Sequence, residues 1–301
     1  MPARAKKTVS LVLGSGGARG LAHIGVIQWL LENEYHIASI SGASIGALVG
    51  GVYATHKLDV YAQWVMALER KHVLRLLDPT IGRPGLFKGE RIISVLRELI
   101  GDCAIEGLPI SFTAVATDLA SREEVWLREG KLFDAIRASI ATPLVFTPFK
   151  HGSRALLDGA LVNPVPISPT LQDGTDLTVV VDLSGDAETR AVRHKGAAHS
   201  HTDGNATTNG YRKRIAQFID GLKAARLAAA EPQHGLLDVA FVSMQAMQDT
   251  ISQLRLAALP PDVRIPIPRN ACSFFEFWRA EELIALGRER AAQTFAQLEP
   301  R

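Results

Sequence analysis

Residues 40–51 read ISGASIGALVGG, Ile40 to Gly51, and the structure they adopt decides the fold around them. The apolar residues Ile37 to Ile40 that lead in fit a short strand, and Ile45 to Ala54 fit a helix. Between them Gly42-Ala43-Ser44-Ile45-Gly46 spells Gly-x-Ser-x-Gly. At a strand-to-helix turn this is the nucleophile-elbow pattern: small residues let strand and helix cross closely while the serine takes a strained backbone conformation. Its Oγ then stands at the helix N-terminus, whose dipole favours developing negative charge. A plain Gly/Ser turn that only packs strand on helix uses the same residues. The strand-turn-helix context favours the elbow.

Working outward, Thr8 to Leu13 reads as a buried strand, Gly14-Ser15-Gly16-Gly17 as a tight turn, and Ala18 to Glu32 as a helix with apolar residues at Leu21, Ile24, Ile27, Leu30 and Leu31. Strand, helix, strand, helix in quick succession predicts an α/β fold: a mostly parallel central sheet flanked by helices. Further strands are expected at Ser111–Ala116, Val125–Leu127, Ala155–Leu157 and Leu177–Leu183, with helices at Val60–Glu69, Glu90–Ile100 and Lys131–Ala138. Residues 184–210 are rich in Gly, Ala, Thr, Asn and His and read as a polar loop or linker. Beyond it, helices are expected at Tyr211–Ala230 and Leu236–Leu259 and a strand at Val263–Ile267. Ser273-Phe274-Phe275-Glu276 reads as a capping box opening a last helix to about Gln297. The expected organisation is a basic tail (1–7), a catalytic domain (8–183), the polar loop (184–210) and a helix-rich C-terminal extension packed on the core (211–301).

The chain has 301 residues, 47% of them hydrophobic, enough for a sizeable core. Its 33 basic and 31 acidic residues nearly cancel, which gives no field for nucleic acid. The two cysteines, Cys103 and Cys272, make no disulfide framework and suit a reducing compartment. The apolar run Val9–Leu13 is too short for a secretory or spanning segment, so a cytoplasmic protein is expected, with peripheral membrane contact left open.

The loop Gly14-Ser15-Gly16-Gly17-Ala18-Arg19-Gly20 follows a strand and opens a helix. As a dinucleotide site it is poor: Arg19 stands where the third glycine belongs, and no acidic residue ends the second strand. No Gly-Lys-Ser/Thr follows, which excludes a P-loop. What remains is a set of backbone N–H groups at a positive helix end, suited to an oxyanion or a phosphate.

A serine needs a base. His23, His36, His56 and His72 lie on or near helices, where core or solvated positions explain them. His194, His199 and His201 fall in the polar stretch, a poor scaffold for a base, and no carboxylate or cysteine pattern makes them a metal site. His234 lies between helices. The better candidate is Asp158, at the end of the strand Ala155–Leu157 and followed by Gly159-Ala160. Asp-Gly is ordinarily a hairpin signal, but Leu161-Val162-Asn163-Pro164-Val165-Pro166 is a poor return strand because two prolines remove ladder donors. In a parallel sheet, strand C-termini share one edge, which would put Asp158 and Ser44 at one crevice.

These motifs together resemble the bacterial patatin-like phospholipase/acyl hydrolase family, most closely its RssA-type subgroup. The carriers are Gly14–Gly20, Gly42–Gly46 and Asp158-Gly159-Ala160, with Ala116-Thr117-Asp118-Leu119, Arg137-Ala138-Ser139 through Pro143, and Val162–Pro166 also family-like. The resemblance covers about Val9 to Leu183. It implies a Ser44–Asp158 dyad, an oxyanion hole in the glycine loop (Gly14, Gly16, Gly17, Arg19 and Gly20, with the Gly16 and Gly17 amides as donors), an acyl-enzyme intermediate, and no metal or cofactor. Arg19 would fix the loop or attract an anionic headgroup, the first being favoured. Alanine at 43 replaces the threonine of plant patatins, and Ser15 stands where some relatives have glycine.

The resemblance further implies an acyl ester or phospholipid substrate; a low-activity or noncatalytic lipid- or protein-binding regulator is the alternative. A Ser-His-Asp hydrolase is disfavoured, since its elbow normally comes later in the chain. Gly82–Gly89, with Leu86 and Phe87, is read either as a lipid-touching tip or as a loop anchored in the core. Phe274-Phe275-Glu276-Phe277-Trp278 is read either as lipid-facing or as a first helical turn packed on the sheet. Oligomeric state is not encoded in any of these patterns.

Overall fold

Val9, Leu11 and Leu13 alternate with Ser10 and Val12 along β1 (Thr8–Leu13), and that alternation sorts the two faces of the sheet. The first three join the main core with the flanking helices, while Val12 packs with Val180 against Val165, Ile167 and Leu256 on the other side. Truncating a fully buried residue such as Leu11 to alanine is expected to cost about 2–5 kcal/mol. The computed structural model describes residues 7–80, 85–188 and 236–298.

The sheet runs β5 (Phe149–His151), β6 (Arg154–Asp158), β3 (Ser111–Asp118), β2 (His36–Ala43), β1, β7 (Leu177–Gly185), β8 (Val263–Pro268), with β4 (Glu124–Leu127) also on β3. Strands β3, β2, β1, β7 and β8 are parallel, whereas β4, β5 and β6 run antiparallel to their neighbours. The helices are α1 (Ala22–Glu32), α2 (Ile45–Ala54), α3 (Leu58–Met66), α4 (Arg70–Leu76), α5 (Glu90–Ile100), α6 (Leu132–Ser139), α7 (Leu236–Ala258) and α8 (Ala280–Leu298). α1 lies along α8, where Phe295 stacks on Trp29 with ring centroids 4.7 Å apart.

By contacts the chain forms two units, Met1–Glu188 with Gln248–Arg301, and Thr189–Met247. Of the second, the described residues are the helical stretch from Leu236. The helix expected at Tyr211–Ala230, most of the polar loop, Gly82–Pro84, and His194, His199, His201 and His234 lie outside the described residues. Among the described residues no helix is long and apolar enough to cross a membrane.

The structure differs from the sequence reading at four points. The helix expected from Ala18 begins as a 3-10 turn over Gly17–Leu21, because Arg19 and the glycines serve the loop before α1 starts. The short α4 and the edge strand β5 carry too few periodic positions to be read from sequence. The capping box at Ser273–Glu276 does not open a long helix: Glu276 Oε2 accepts the Ser273 N–H at 3.0 Å, closing a turn, and α8 begins at Ala280 after a 3-10 turn over Phe277–Arg279.

The fourth concerns Asp158. Its strand β6 is antiparallel to β3, not parallel. Ala114 and Val115 of β3 pair with β2 and β4 at once, and Ala116 and Thr117 with β4 and β6. Since a strand has two edges, β2 and β6 occupy the same edge of β3, end to end. β2 stops at Ala43, opposite Val115, and β6 comes the other way and stops at Asp158, opposite Ala116. The two C-termini therefore meet head-on.

Candidate active site

Ser44 sits in the gap between those strand ends. It has φ 56° and ψ −124°, a left-handed conformation that is strained for any residue with a Cβ. The glycines around it make the turn sterically feasible. A Cβ on Gly46 would lie 2.0 Å from the Leu13 carbonyl oxygen, and one on Gly42 would lie 2.4 Å from the Gly46 carbonyl carbon. The Ser44 N–H donates to Ser139 Oγ at 2.9 Å, and Ser139 Oγ donates to the Val115 carbonyl at 2.6 Å, so α6 braces the turn against β3. Ser44 is the residue before α2, whose N-terminal dipole faces its hydroxyl.

The Ser44 hydroxyl donates to Asp158 Oδ2 at 2.7 Å. The same oxygen accepts the Thr142 hydroxyl at 2.6 Å, and Oδ1 accepts the Ala160 N–H at 2.9 Å. Gly159 and Ala160 begin a 3-10 turn for which Asp158 is the cap. Thr117 Oγ1 holds the Asp158 carbonyl at 2.8 Å. Both side chains are almost wholly buried. Burial raises the Asp158 pKa to about 6, against which the hydrogen bonds from Thr142, Ala160 and Ser44 pull it down.

The glycine loop lies beside this pair. Gly14 N–H donates to Val181 O and Ser15 N–H to Pro164 O, while Ala18 N–H donates to Phe274 O. Among the described residues no acceptor takes the N–H of Gly16 or Gly17. Gly20 is buried against Ile45. Arg19 turns away from the pair: its Nε donates to Gly16 O at 3.2 Å and its NH1 to Arg269 O at 2.5 Å. The loop-fixing reading of Arg19 fits this, and of the five loop residues only Gly16 and Gly17 leave amides to spare.

Four contributors carry no such role in the sequence reading. Thr142 and Ser139 lie in the Arg137–Pro143 stretch, yet nothing in their spacing tells that their hydroxyls reach opposite members of the Ser44–Asp158 pair. His23 Nε2–H donates to Gly14 O at 2.8 Å; burial lowers its pKa to about 4, so it is a neutral brace under the loop. Arg137, also buried, donates to Lys88 O and Thr147 O and ties together the two segments bridged at Phe87 and Phe146. Phe87 is buried and Leu86 is exposed, so the core-anchored reading describes the first and not the second.

Ser44 and Thr142 open onto a cavity of about 100 Å³ that is continuous with solvent. Ile45, Leu48, Val65, Leu96 and Ile140 supply aliphatic walls, and Phe146, Phe274, Phe275 and Phe277 aromatic ones. Phe274–Phe277 thus lines the cavity rather than beginning a helix. A serine hydroxyl bonded to a buried carboxylate, at the floor of an apolar cavity beside two spare amides, is equipped for attack on a carbonyl attached to a hydrocarbon chain. Among the described residues no group of side chains could hold a metal ion.

Residues 11–171 match the family model described as patatin-like phospholipase. The chain is similar to an uncharacterized NTE family protein of Mycobacterium tuberculosis (strain ATCC 25618 / H37Rv), 39% identical over 331 residues, covering 97% of this chain and 92% of that protein. It is also similar to a patatin-like phospholipase domain-containing protein of Caenorhabditis elegans, 34% identical over 191 residues, covering 60% of this chain and 14% of that protein. A solved structure, VipD from Legionella pneumophila, superposes with a TM-score of 0.42 at 12% identity, covering 98% of this chain and 67% of that one.

Proposed function

The chain belongs to the patatin-like phospholipase family, and on that premise we propose that it is a serine acyl hydrolase of lipid esters working through a Ser44–Asp158 dyad. The observation that carries the reading is the 2.7 Å hydrogen bond from Ser44 Oγ to Asp158 Oδ2 at the floor of the apolar cavity.

Ser44 Oγ attacks the ester carbonyl carbon as its proton passes to Asp158 Oδ2. The carbonyl π electrons move onto oxygen, and the Gly16 and Gly17 amides stabilise that oxyanion; one such donor is worth about 3 kcal/mol. Collapse breaks the bond to the leaving alkoxide, which takes the proton from Asp158 and departs as the alcohol. Water then attacks the acyl-enzyme, giving its proton to Asp158, and collapse returns a proton to Ser44 and releases the acid. A carboxylate with a pKa near 4 is a weak base. Burial lifts Asp158 to about 6, which brings it closer to the task while leaving it ionised at neutral pH. Thr142 and Ala160 keep it aimed while Ser44 gives up its proton.

The test is a fluorophosphonate probe followed by ester hydrolysis. The folded protein should be labelled at Ser44; Ser44→Ala and Asp158→Asn should each abolish short-chain ester hydrolysis, while His234→Ala and a chelator should not. Activity lost in a folded His234→Ala would replace the dyad with a triad. Folded protein that takes no label would instead be a noncatalytic lipid- or protein-binding member of the family.

A further inference from the structure

The nucleophile, its base and the spare amides all fall within residues 11–171, the stretch that matches the family. One wall of the cavity does not. Phe274, Phe275 and Phe277 come from the turn between β8 and α8, about a hundred residues beyond that stretch. This turn also touches the amide-bearing loop directly. Phe274 O accepts the Ala18 N–H at 2.9 Å, and the Phe274 ring lies where a Cβ on Gly17 (φ 58°) would sit, 2.5 Å from it.

The turn is held rigidly. Glu276 Oε2 accepts from the Ser273 N–H at 3.0 Å and from Arg279 at 2.9 Å, and Arg279 also pairs with Glu282. Arg19 spans from Gly16 O to Arg269 O, so one guanidinium ties the loop to the segment that carries the aromatics. Phe274 and Phe275 meet edge to face with centroids 5.0 Å apart. All three phenylalanines are only half-buried, which leaves ring surface facing the cavity.

Resting on the hydrolase reading above, we infer that the Phe274–Phe277 turn is the acyl-selecting element: Phe275 and Phe277 bound the space for the acyl chain, and Phe274 sets the position of the Gly17 amide. A rigid aromatic wall discriminates chain size because one methylene in a hydrophobic pocket changes relative rates about tenfold or more. Selection is thus separated from chemistry along the chain: residues 11–171 supply the reaction, and the turn outside them decides which ester fits.

The experiment compares kcat/KM for p-nitrophenyl decanoate and p-nitrophenyl butyrate in the full chain and in Phe275→Ala, Phe277→Ala and Phe277→Trp, each checked for fluorophosphonate labelling at Ser44. The alanine variants should raise the decanoate-to-butyrate ratio about fivefold or more, and Phe277→Trp should lower it. Should an alanine variant fail to fold, Phe275→Leu and Phe277→Leu read the same ratio with a smaller expected change. Ratios within twofold of wild type in folded, labelled variants overturn the inference and leave the hydrolase reading intact. A folded wild type that neither labels nor turns over either ester overturns both.

Discussion

Ser44 and Thr142 donate to one and the same oxygen of Asp158, at 2.7 and 2.6 Å, from α2's N-terminus and from the segment just after α6. That shared acceptor makes Thr142 a tuning group, since its hydroxyl favours the ionised carboxylate over the protonated one. A hydrogen bond to a charged group is worth about 1.5–3 kcal/mol, or about one to two pH units. Thr142→Val should therefore move the acid limb of the kcat/KM profile upward from about pH 6 and reduce activity at pH 7, whereas Thr142→Ser should restore the wild-type limb. An unmoved limb in Thr142→Val would mean that Thr142 does not govern the base.

Asp158→Asn keeps a partner for every neighbour. Its Oδ1 can accept the Ala160 N–H, and its amide can donate to the Ser44 and Thr142 hydroxyls, both of which are able to accept. The variant should fold, and its kcat should fall by about 10³-fold or more, since general-base transfer is removed along with the buried charge. Single-turnover acylation by an activated ester is the direct measurement. A rate within tenfold of wild type would remove Asp158 from the chemistry.

The strand-turn-helix around Ser44 was legible because it is local: a glycine pair and a change of hydrophobic period are both written within twelve residues. Parallel strands sharing an edge predict the approach of Asp158, but by a geometry the fold does not use. β6 is antiparallel, and the meeting occurs because β2 and β6 share one edge of β3 from opposite ends. Pairing partners 38 to 72 residues apart leave no periodic trace, and for the same reason the sequence assigns no role to Ser139 and Thr142. The aromatic turn departs from the expected helix for a physical reason too. Ser273 and Glu276 have capping-box spacing, but the Glu276 carboxylate is shared with Arg279, which closes a turn and delays the helix by several residues.

The strain at Ser44 yields a prediction about stability. With φ 56° and ψ −124°, any side chain at this position is costly, while glycine is not. Ser44→Ala and Ser44→Gly both lack the hydroxyl, so their difference isolates the backbone. Ser44→Gly should be the more stable of the two by about 1–3 kcal/mol in denaturant titration, with neither active. Equal stabilities would mean that the elbow is relaxed.

Two buried groups give opposing pH dependences that should cancel until one is removed. Asp158 has its pKa raised from 3.8 to about 6, so its contribution to stability is full below pH 3.8 and is lost as pH rises through 6. His23 has its pKa lowered from 6.5 to about 4, so its contribution is full above pH 6.5 and is lost as pH falls through 4. Between pH 4 and 6 the folded state holds about one proton more than the unfolded state at Asp158 and about one fewer at His23, and their slopes offset. Relative to wild type, Asp158→Asn should gain stability as pH rises from 4 to 6, by up to roughly 3 kcal/mol for a shift of about two units. His23→Gln, which keeps a donor for Gly14 O, should change in the opposite sense, gaining relative to wild type as pH falls from 6.5 to 4. Denaturant midpoints at pH 4, 5, 6 and 8 for the three proteins check both slopes. Parallel curves for wild type and Asp158→Asn would show that Asp158 titrates in the folded protein as it does in water.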